Sequence, residues 1–260
     1  FVSTRDGDEE IYTMDSDGLN QTRLTYSTGW DRDPLFSPDG TKILFRSYRD
    51  GCGEIYIMDI NGRNQTRLTF NTGGSADLDS DPAVSPDNSK IAFTSTRDGE
   101  SEIYIMDANG GNQTRLTFTA GIDESPAWSP DGSNIAFTSE RNGDSEIYVM
   151  NPDGSNQTRL SFTIGIDETP AWSPDSSRIA FTSIRNLNRE IYVMDADGDN
   201  LRWLTDSMVA DQFPTWSPDG NEILYVSGEN INSDIYIMNS DSSNQTPLTF
   251  NQYVDTEIAW

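Results

Sequence analysis

A segment of the form Ile-Tyr-x-Met recurs six times along the chain at almost constant spacing. Its tyrosines are Tyr12, Tyr56, Tyr104, Tyr148, Tyr192 and Tyr236, so the steps are 44, 48, 44, 44 and 44 residues. A Ser-Pro-Asp segment repeats with the same steps, beginning at Ser37, Ser85, Ser129, Ser173 and Ser217. The four additional residues of the long step lie between Asn71 and Asp81. A period in the forties that is rich in short strands and turns is typical of a β-propeller, in which each repeat builds one blade.

One repeat, read from Pro126, contains four stretches of strand-forming residues. They are residues 127–129, 134–139, 146–150 and 158–162, and Gly, Pro, Asn and Asp fill the gaps between them. The β-branched and aromatic residues favour strands, and the Ser-Pro-Asp-Gly segment has the residues that a tight turn requires. The repeat therefore predicts four strands and no helix.

The two ends of the chain fit one incomplete repeat. Residues 1–7 match residues 45–51, the second strand and turn of a repeat, and residues 255–260 match residues 211–216, which lead into a first strand. We expect the C-terminus to supply the inner strand of the blade whose other strands come from the N-terminus, which protects the sheet edges at closure. The sequence thus predicts one all-β domain over residues 1–260, a six-bladed propeller of four-stranded antiparallel blades. Because the pattern begins in mid-repeat without a methionine, we expect a mature part or fragment of a longer protein.

Charge and composition exclude several functions. The chain has 43 acidic and 17 basic residues, a formal charge of −26, so nucleic acid is not an expected partner. Histidine is absent, which removes histidine-dependent catalytic groups and imidazole metal sites from this chain. The single Cys52 cannot form an internal disulfide. No apolar run reaches the 18 residues or so of a membrane span, so we expect no membrane insertion.

The repeated motifs identify a family resemblance. Pro-Ala-Trp-Ser-Pro-Asp-Gly, Ile-Ala-Phe-Thr-Ser-x-Arg, Glu-Ile-Tyr-x-Met-Asp and Asn-Gln-Thr-Arg-Leu-Thr resemble the TolB-type propeller repeat, a WD-like repeat. The resemblance covers essentially the whole chain and implies a six-bladed propeller. Repeats of this type occur in periplasmic TolB, in cell-surface proteins, and in propellers attached to prolyl-oligopeptidase-type and tricorn-type proteases. The resemblance to TolB implies a protein-interaction role.

An aspartate stands three residues before the proline of each first strand. These aspartates are Asp31, Asp79, Asp123, Asp167 and Asp211, and Asp255 holds the same place in the split blade. We expect them around one mouth of the central channel, where oxygen ligands would suit Ca²⁺ or a basic ligand. The alternative is pairing with the arginines of the second turn, which are Arg5, Arg49, Arg97, Arg141 and Arg185. Glu229 takes that place in the fifth repeat, so one pair should be missing.

Two further motifs have a structural and a functional interpretation. Segments such as Asp107-Ala-Asn-Gly110 superficially resemble calcium loops, but their glycine comes too early for an EF-hand, and a hairpin turn explains them better. Asn-Gln-Thr fits the N-glycosylation pattern or a repeated strand-entry turn, and its asparagines are Asn20, Asn64, Asn112, Asn156 and Asn244. If the host glycosylates, sugars would decorate the face opposite the aspartates.

These observations favour a non-enzymatic binding or scaffold propeller outside the cytoplasm, at the periplasm, the cell surface or in the medium. It would engage a protein partner through an acidic channel mouth, with a divalent cation such as Ca²⁺ as a further element. One alternative is the propeller of an enzyme, either the gating domain of a protease or a hydrolase or lyase that uses carboxylates and a metal. A second alternative is a structural subunit of a surface assembly.

Overall fold

The computed structural model describes residues 1–71, 78–162, 165–185, 188–229, 232–250 and 253–260. It consists of six four-stranded antiparallel sheets arranged as the blades of a propeller, as the repeat predicts. Each sheet is a meander in which strands that are consecutive in sequence are neighbours, except at the closing blade. No helix occurs in the described ranges, and hence none that is long and apolar enough to cross a membrane.

The strands, in chain order, have the following bounds. The chain begins in the closing blade with β1 (Val2–Ser3), β2 (Glu10–Thr13) and β3 (Thr22–Arg23). Blade 1 contains β4 (Asp31–Phe36), β5 (Lys42–Ser47), β6 (Glu54–Asp59) and β7 (Thr66–Arg67). Blade 2 contains β8 (Asp79–Val84), β9 (Lys90–Ser95), β10 (Glu102–Asp107) and β11 (Thr114–Arg115). Blade 3 contains β12 (Asp123–Trp128), β13 (Ile135–Ser139), β14 (Glu146–Met150) and β15 (Thr158–Arg159). Blade 4 contains β16 (Ile166–Trp172), β17 (Arg178–Arg185), β18 (Asn188–Asp195) and β19 (Arg202–Trp203). Blade 5 contains β20 (Asp211–Trp216), β21 (Glu222–Glu229), β22 (Asn232–Asn239) and β23 (Thr246–Pro247), and β24 (Asp255–Thr256) returns to the closing blade.

The hydrophobic core lies between neighbouring blades. Ile103 and Leu116 of blade 2, for example, pack in one buried cluster with Phe137, Tyr148 and Met150 of blade 3. The second and third strands supply most of these side chains, because their alternating residues face the blades on either side. Burial between sheets thus fixes the ring and directs the innermost strands toward its axis.

The ring closes as the chain ends predict. Strand β24 pairs antiparallel with β1, so Val2 lies opposite Thr256 and Ser3 opposite Asp255. The indole of Trp260 donates a hydrogen bond to the carbonyl of Thr215 in blade 5, at 3.3 Å. The same indole-to-carbonyl bond joins other blades, from Trp172 to Ala127 and from Trp216 to Ala171. The closing blade therefore uses the same contact as a blade made of continuous chain.

The inner and outer strands differ from the sequence-based bounds. In blade 3 the inner strand begins at Asp123 rather than at residue 127, and the outer strand ends at Arg159 rather than at residue 162. The outer strand is short because Leu160 turns into the core while Phe162 is 73% exposed. The early start of the inner strand places the repeated aspartate within the strand, which changes the position of its side chain.

The meander gives the propeller two different faces. Hairpins joining the first to the second strand and the third to the fourth strand lie on one face, and the other connections lie on the opposite face. Residues 107–111 form a hairpin turn, which confirms the structural interpretation of this motif. Gly110 has φ of +85°, and a Cβ atom there would come within 2.6 Å of the Leu68 carbonyl in the preceding blade. Glycine is therefore required by both the backbone and the neighbouring blade.

Candidate functional site

The six repeated aspartates lie inside the blades. Their exposed fractions are 0 to 1%, and each is the residue that follows an interblade connection into an inner strand. Five of them form salt bridges with the arginine of the second turn in the same blade. These pairs are Asp31–Arg49 at 3.0 Å, Asp79–Arg97 at 2.8 Å, Asp123–Arg141 at 3.0 Å, Asp167–Arg185 at 3.5 Å and Asp255–Arg5 at 3.2 Å. The arginine pairing that the sequence offered as an alternative is confirmed.

Blade 2 shows how such a pair is held. The guanidinium of Arg97 donates from Nη2 to Asp79 and from Nε to Ser95 Oγ at 2.8 Å, and Nη1 donates to Gln113. The same guanidinium stacks over Tyr104, 4.8 Å from the ring centroid. Because these five carboxylates are each neutralised within their own blade, they support the blades from within.

Asp211 of blade 5 is the exception. No described arginine pairs with it. Its Oδ1 is buried without a hydrogen-bond partner among the described residues, as are the Oδ1 atoms of Asp31 and Asp79. Burial raises the pKa of Asp211 above its usual range. The pair expected to be missing involves Glu229, whose side chain lies outside the described part of the structure.

The aspartates do not gather around a single point. Within the described ranges, no three acidic or cysteine side chains converge closely enough to hold a metal ion. The six carboxylates thus lie in separate blades, and five of them are paired with arginine. This arrangement does not fit one divalent cation shared by all six. Cation binding by Asp31, Asp79, Asp123, Asp167, Asp211 and Asp255 stays a prediction from the sequence.

The axial channel is lined by the residue two positions after each aspartate. These residues are Asp33, Asp81, Ser125, Thr169, Phe213 and Glu257. Together with the prolines that follow five of them, they surround an open cavity of about 310 Å³. Leu35, Arg46 and Ile258 line it as well. We call the six residues that share one repeat position the channel residues.

All six channel residues have a left-handed backbone conformation. Their φ values lie between +46° and +57°. In blades 1 to 5 the pairing of the inner strand shifts register across this position, as at Arg32/Leu35 in blade 1, so the residue sits in a β-bulge. A bulge redirects a side chain, and the left-handed region is costly for β-branched or bulky residues such as Thr169 and Phe213. Strain that is maintained at every blade around one cavity is typical of a functional position.

A series of interblade hydrogen bonds supports the channel residues. In blades 3, 4 and 5 the channel residue's backbone N–H donates to a threonine of the preceding blade. These bonds are Ser125 to Thr94 at 3.1 Å, Thr169 to Thr138 at 3.2 Å and Phe213 to Thr182 at 3.1 Å. In blades 1 and 2 the acceptor is instead a channel carboxylate, Glu257 for Asp33 and Asp33 for Asp81. The bulges are therefore fixed by contacts that run around the axis.

One arc of the channel is charged. Arg46 occupies the place that threonine has in blades 2 to 4, and its Nε lies 3.0 Å from Asp33 Oδ2. Asp33 Oδ2 also accepts the Asp81 backbone N–H at 3.3 Å, and Glu257 Oε2 accepts that of Asp33 at 2.6 Å. Burial, and then the negative charge of Glu257, raise the pKa of Asp33 to about 7. Burial and the charge of Asp33 also raise the pKa of Asp81.

Glu124 adds a further acidic group beside this arc. Burial is the largest cause that raises its pKa to about 7, followed by the charges of Asp81, Glu168 and Glu140. Glu168 is itself paired with Arg189 at 3.2 Å. With pKa values of about 7, Asp33 and Glu124 would be stabilised in the charged form by a cationic group.

The opposite arc of the channel is uncharged. Ser125, Thr169 and Phe213 supply two hydroxyl groups and one aromatic ring. A cavity with one charged side and one side carrying hydroxyl and aromatic groups can orient a bound side chain, because only one orientation satisfies both sides.

The residues that line the channel lie two positions after the aspartates that the sequence placed at its mouth. The aspartate stands out in the sequence because every repeat has it. The useful signal is variation: the residue two positions after the repeated aspartate is Asp, Asp, Ser, Thr, Phe and Glu in six otherwise similar repeats. Positions that differ within a regular repeat are free of the packing constraint that the others share.

The Asn-Gln-Thr asparagines have a structural role. Asn20, Asn64, Asn112, Asn156 and Asn244 are exposed and have φ between +53° and +56°. The Nδ2 of Asn112 donates to Asp107 at 2.6 Å, and Asn20 and Asn64 make the same bond to Asp15 and Asp59. Asparagine is favoured here because it tolerates the left-handed region and ties the turn. N-glycans at these five positions stay a prediction, which loss of mass on enzymatic deglycosylation would test.

The fold and site define a class: a six-bladed β-propeller with an open, polar and asymmetric axial channel. A family profile described as the TolB beta propeller domain matches residues 1–81, 75–168 and 163–260. These matches together cover the whole chain. The chain belongs to the TolB β-propeller family.

Individual relatives support the same assignment. A TolB homolog from Chlorobium chlorochromatii is 52% identical over 42 residues, which is 16% of this chain and 10% of that protein. The Tol-Pal system protein TolB of Geobacter sulfurreducens is 49% identical over 43 residues, again 16% of this chain and 10% of that protein. The crystal structure of TolB from Acinetobacter baumannii superposes with a TM-score of 0.87 at 27% identity. That superposition covers 97% of this chain and 62% of the other, so this chain spans less than two thirds of that relative.

Proposed function

We propose that this protein is a non-enzymatic binding propeller that holds a protein partner at the mouth of its axial channel. The observation that carries the proposal is the ring of channel residues, all strained into the left-handed region and different from blade to blade. A structural ring would be served equally well by six identical residues. The charged arc around Asp33 would take a basic group of the partner, and the ring of Phe213 would pack against an apolar one.

The family supports a partner of a particular kind. One relative is named as a Tol-Pal system protein, so we propose a Pal protein from the same genome as the partner. On the same ground, we propose that the protein lies outside the cytoplasm, in the periplasm. A propeller mouth can receive a few residues of a partner while its rim contacts a wider surface.

Isothermal titration calorimetry, which measures the affinity of this chain for Pal, tests the proposal. The variants Phe213→Ser and Glu257→Gln each remove one side of the site, and we expect each to weaken binding by about tenfold or more. Leu19→Ser, an exposed substitution on the hairpin face, serves as the matched control and should bind as the wild type does. Equal affinity of wild type and both channel variants would contradict the proposal.

A divalent cation at the aspartates is a prediction of the sequence alone, and the arginine pairing of five of them opposes it. Oxygen ligands favour Ca²⁺, and an ion bound to the folded state at the aspartates would raise the melting temperature by several degrees at millimolar Ca²⁺. An unchanged melting curve would contradict cation binding and leave arginine as the neutralising group. Partner binding at the channel does not depend on this result.

A further inference from the structure

A second surface lies on the outer rim of the propeller. Just after its outer strand, each of five blades exposes an aromatic ring to solvent. The rings and their exposed fractions are Tyr26 at 73%, Phe70 at 67%, Phe118 at 72%, Phe162 at 73% and Phe250 at 79%. Large aromatic side chains exposed at the same place in several blades mark a surface that contacts another molecule.

Four of these rings are held in place by an arginine. The guanidinium carbon lies over the ring centroid for Arg23 and Tyr26 at 4.5 Å, Arg67 and Phe70 at 4.8 Å, Arg115 and Phe118 at 4.9 Å, and Arg159 and Phe162 at 4.9 Å. We call these four pairs the aromatic rim. They occupy the closing blade and blades 1, 2 and 3, which are consecutive around the ring.

Each arginine of the aromatic rim is itself fixed by buried groups. Arg67 donates from Nη2 to the buried Glu54 at 2.5 Å and from Nε to the Thr69 carbonyl at 2.6 Å. The other three arginines make the corresponding two contacts. The rings therefore rest on preorganised supports, which lowers the entropy that binding would cost.

Carboxylates accompany three of the four pairs. Asp6, Asp50 and Asp98 have side chains that are 42 to 53% exposed and lie beside the rim arginines. Their contacts with tyrosine and arginine all use Oδ2, and Oδ1 accepts no hydrogen bond from any described residue. An exposed ring next to an available carboxylate oxygen suits an ammonium or guanidinium group, by cation–π attraction and hydrogen bonding together.

The remaining two blades lack this arrangement. In blade 4, Trp203 replaces the arginine and Asp206 replaces the aromatic residue, and in blade 5 Pro247 replaces the arginine. The surface therefore covers one side of the propeller. A restricted arc is expected of a docking surface and would not be needed for the stability of every blade.

We propose that the aromatic rim docks a separate protein with a basic surface, whose lysine and arginine side chains lie against the four rings. The net charge of −26 favours a basic partner and opposes both a second copy of this chain and an anionic lipid surface. Four equivalent contacts on one arc would add their effects through multivalency. This surface is distinct from the axial channel and does not depend on the proposed function.

A charge-neutral variant tests the proposal. Tyr26→Ser, Phe70→Ser, Phe118→Ser and Phe162→Ser are combined, which removes the rings and leaves the net charge unchanged. The probe is a linear peptide of about eight Arg-Gly-Gly units, measured by isothermal titration at 0.15 M salt. We expect the fourfold variant to bind at least tenfold more weakly, with Phe250→Ser on blade 5 as a control that changes affinity less than twofold. Equal affinity of wild type and fourfold variant would overturn the proposal.

Further measurements keep the result interpretable. The single variant Phe118→Ser, whose ring is exposed, should retain the wild-type melting temperature and weaken binding by about twofold to fourfold. If the rings instead support binding of chitohexaose and not of the arginine peptide, the surface recognises a glycan and the proposal is wrong. Glu257→Gln in the channel should leave peptide binding at the rim within twofold of wild type, which separates this test from that of the axial site.

Discussion

At the level of single residues, the channel shows how one chain keeps a regular fold and a specific site. The same left-handed backbone conformation recurs in every blade, while the side chain at this position varies from carboxylate to hydroxyl to phenyl ring. The positive charge of Arg46 attracts three of the carboxylates, those of Asp33, Asp81 and Glu257, which form the charged arc. Conformation is thus set by the repeat, and chemistry by the residues that depart from it.

The raised pKa of Glu124 predicts a pH-dependent stability. Its pKa of about 7 in the folded protein exceeds the unfolded value of about 4.3, so the folded state binds this proton more tightly. The contribution to folding is therefore complete below the unfolded pKa and is lost as the pH rises through 7. In the Glu124→Gln variant, the free energy of unfolding should fall less between pH 4.5 and 7.5 than it does in the wild type. At pH 8 it should exceed the wild-type value by about 1–2 kcal/mol, after allowance for solvent screening.

Urea unfolding at several pH values measures this effect. Asp206→Asn is the control, because it removes the same charge from an exposed position. It should shift stability by less than about 0.5 kcal/mol and keep the wild-type pH dependence. Parallel pH profiles for wild type and Glu124→Gln would show that Glu124 titrates as an ordinary surface carboxyl group.

The left-handed conformation of Thr169 predicts a stabilising substitution. Its φ is +56°, where a β-branched side chain is strained and asparagine is tolerated. Thr169→Asn should raise the free energy of unfolding by about 0.5–1 kcal/mol, and Thr158→Asn in a regular outer strand should lower it. Thermal melts of the two variants check the prediction. A lower melting temperature for both would show that the backbone at Thr169 is not strained.

At the level of the blade, sequence periodicity predicts the architecture well and the site poorly. Hydrophobic alternation and turn residues locate strands such as β14, because burial and turn chemistry act locally. The start of β12 escapes this reasoning, since its polar residues pair with β13 through a bulge that no propensity specifies. The sequence pattern alone therefore places the aspartates at the channel. In the structure the inner strand begins earlier than the pattern indicates, and the aspartates are buried within the blades.

The buried aspartate–arginine pairs give contrasting predictions for two blades. Arg97→Ala would leave the fully buried Asp79 without its cation and should lower the free energy of unfolding by about 3 kcal/mol. Asp211→Asn removes a buried carboxylate that has no described arginine partner, so its stability should equal or exceed that of the wild type. Chemical unfolding of both variants distinguishes them, and equal losses would show that the arginines contribute nothing specific.

At the level of the whole molecule, closure couples the two chain ends. Arg5 of the N-terminal segment pairs with Asp255 of the C-terminal strand, and Trp260 bonds to blade 5. Five of the six channel residues are held by a hydrogen bond from their backbone N–H to the preceding blade. The shape of the channel is therefore a property of the closed ring.

Removal of residues 255–260 should open the ring. The truncation exposes the edge of β1 and the packing surface of Trp260, so we expect the melting temperature to fall by about 10 °C or more and oligomers to form at the free edge. Trp260→Ala alone keeps the strand pairing and should have a smaller effect. Calorimetry with size-exclusion chromatography tests this, and an unchanged monomer with the wild-type melting temperature would contradict closure by β24.

The most direct test of the account is amide hydrogen exchange in the complex with Pal. If the partner occupies the channel mouth, protection should be concentrated at the six channel residues, from Asp33 to Glu257, and be absent from the hairpin face that carries Asn112. Protection confined to that hairpin face, with unchanged exchange at the channel residues, would contradict a binding site in the channel.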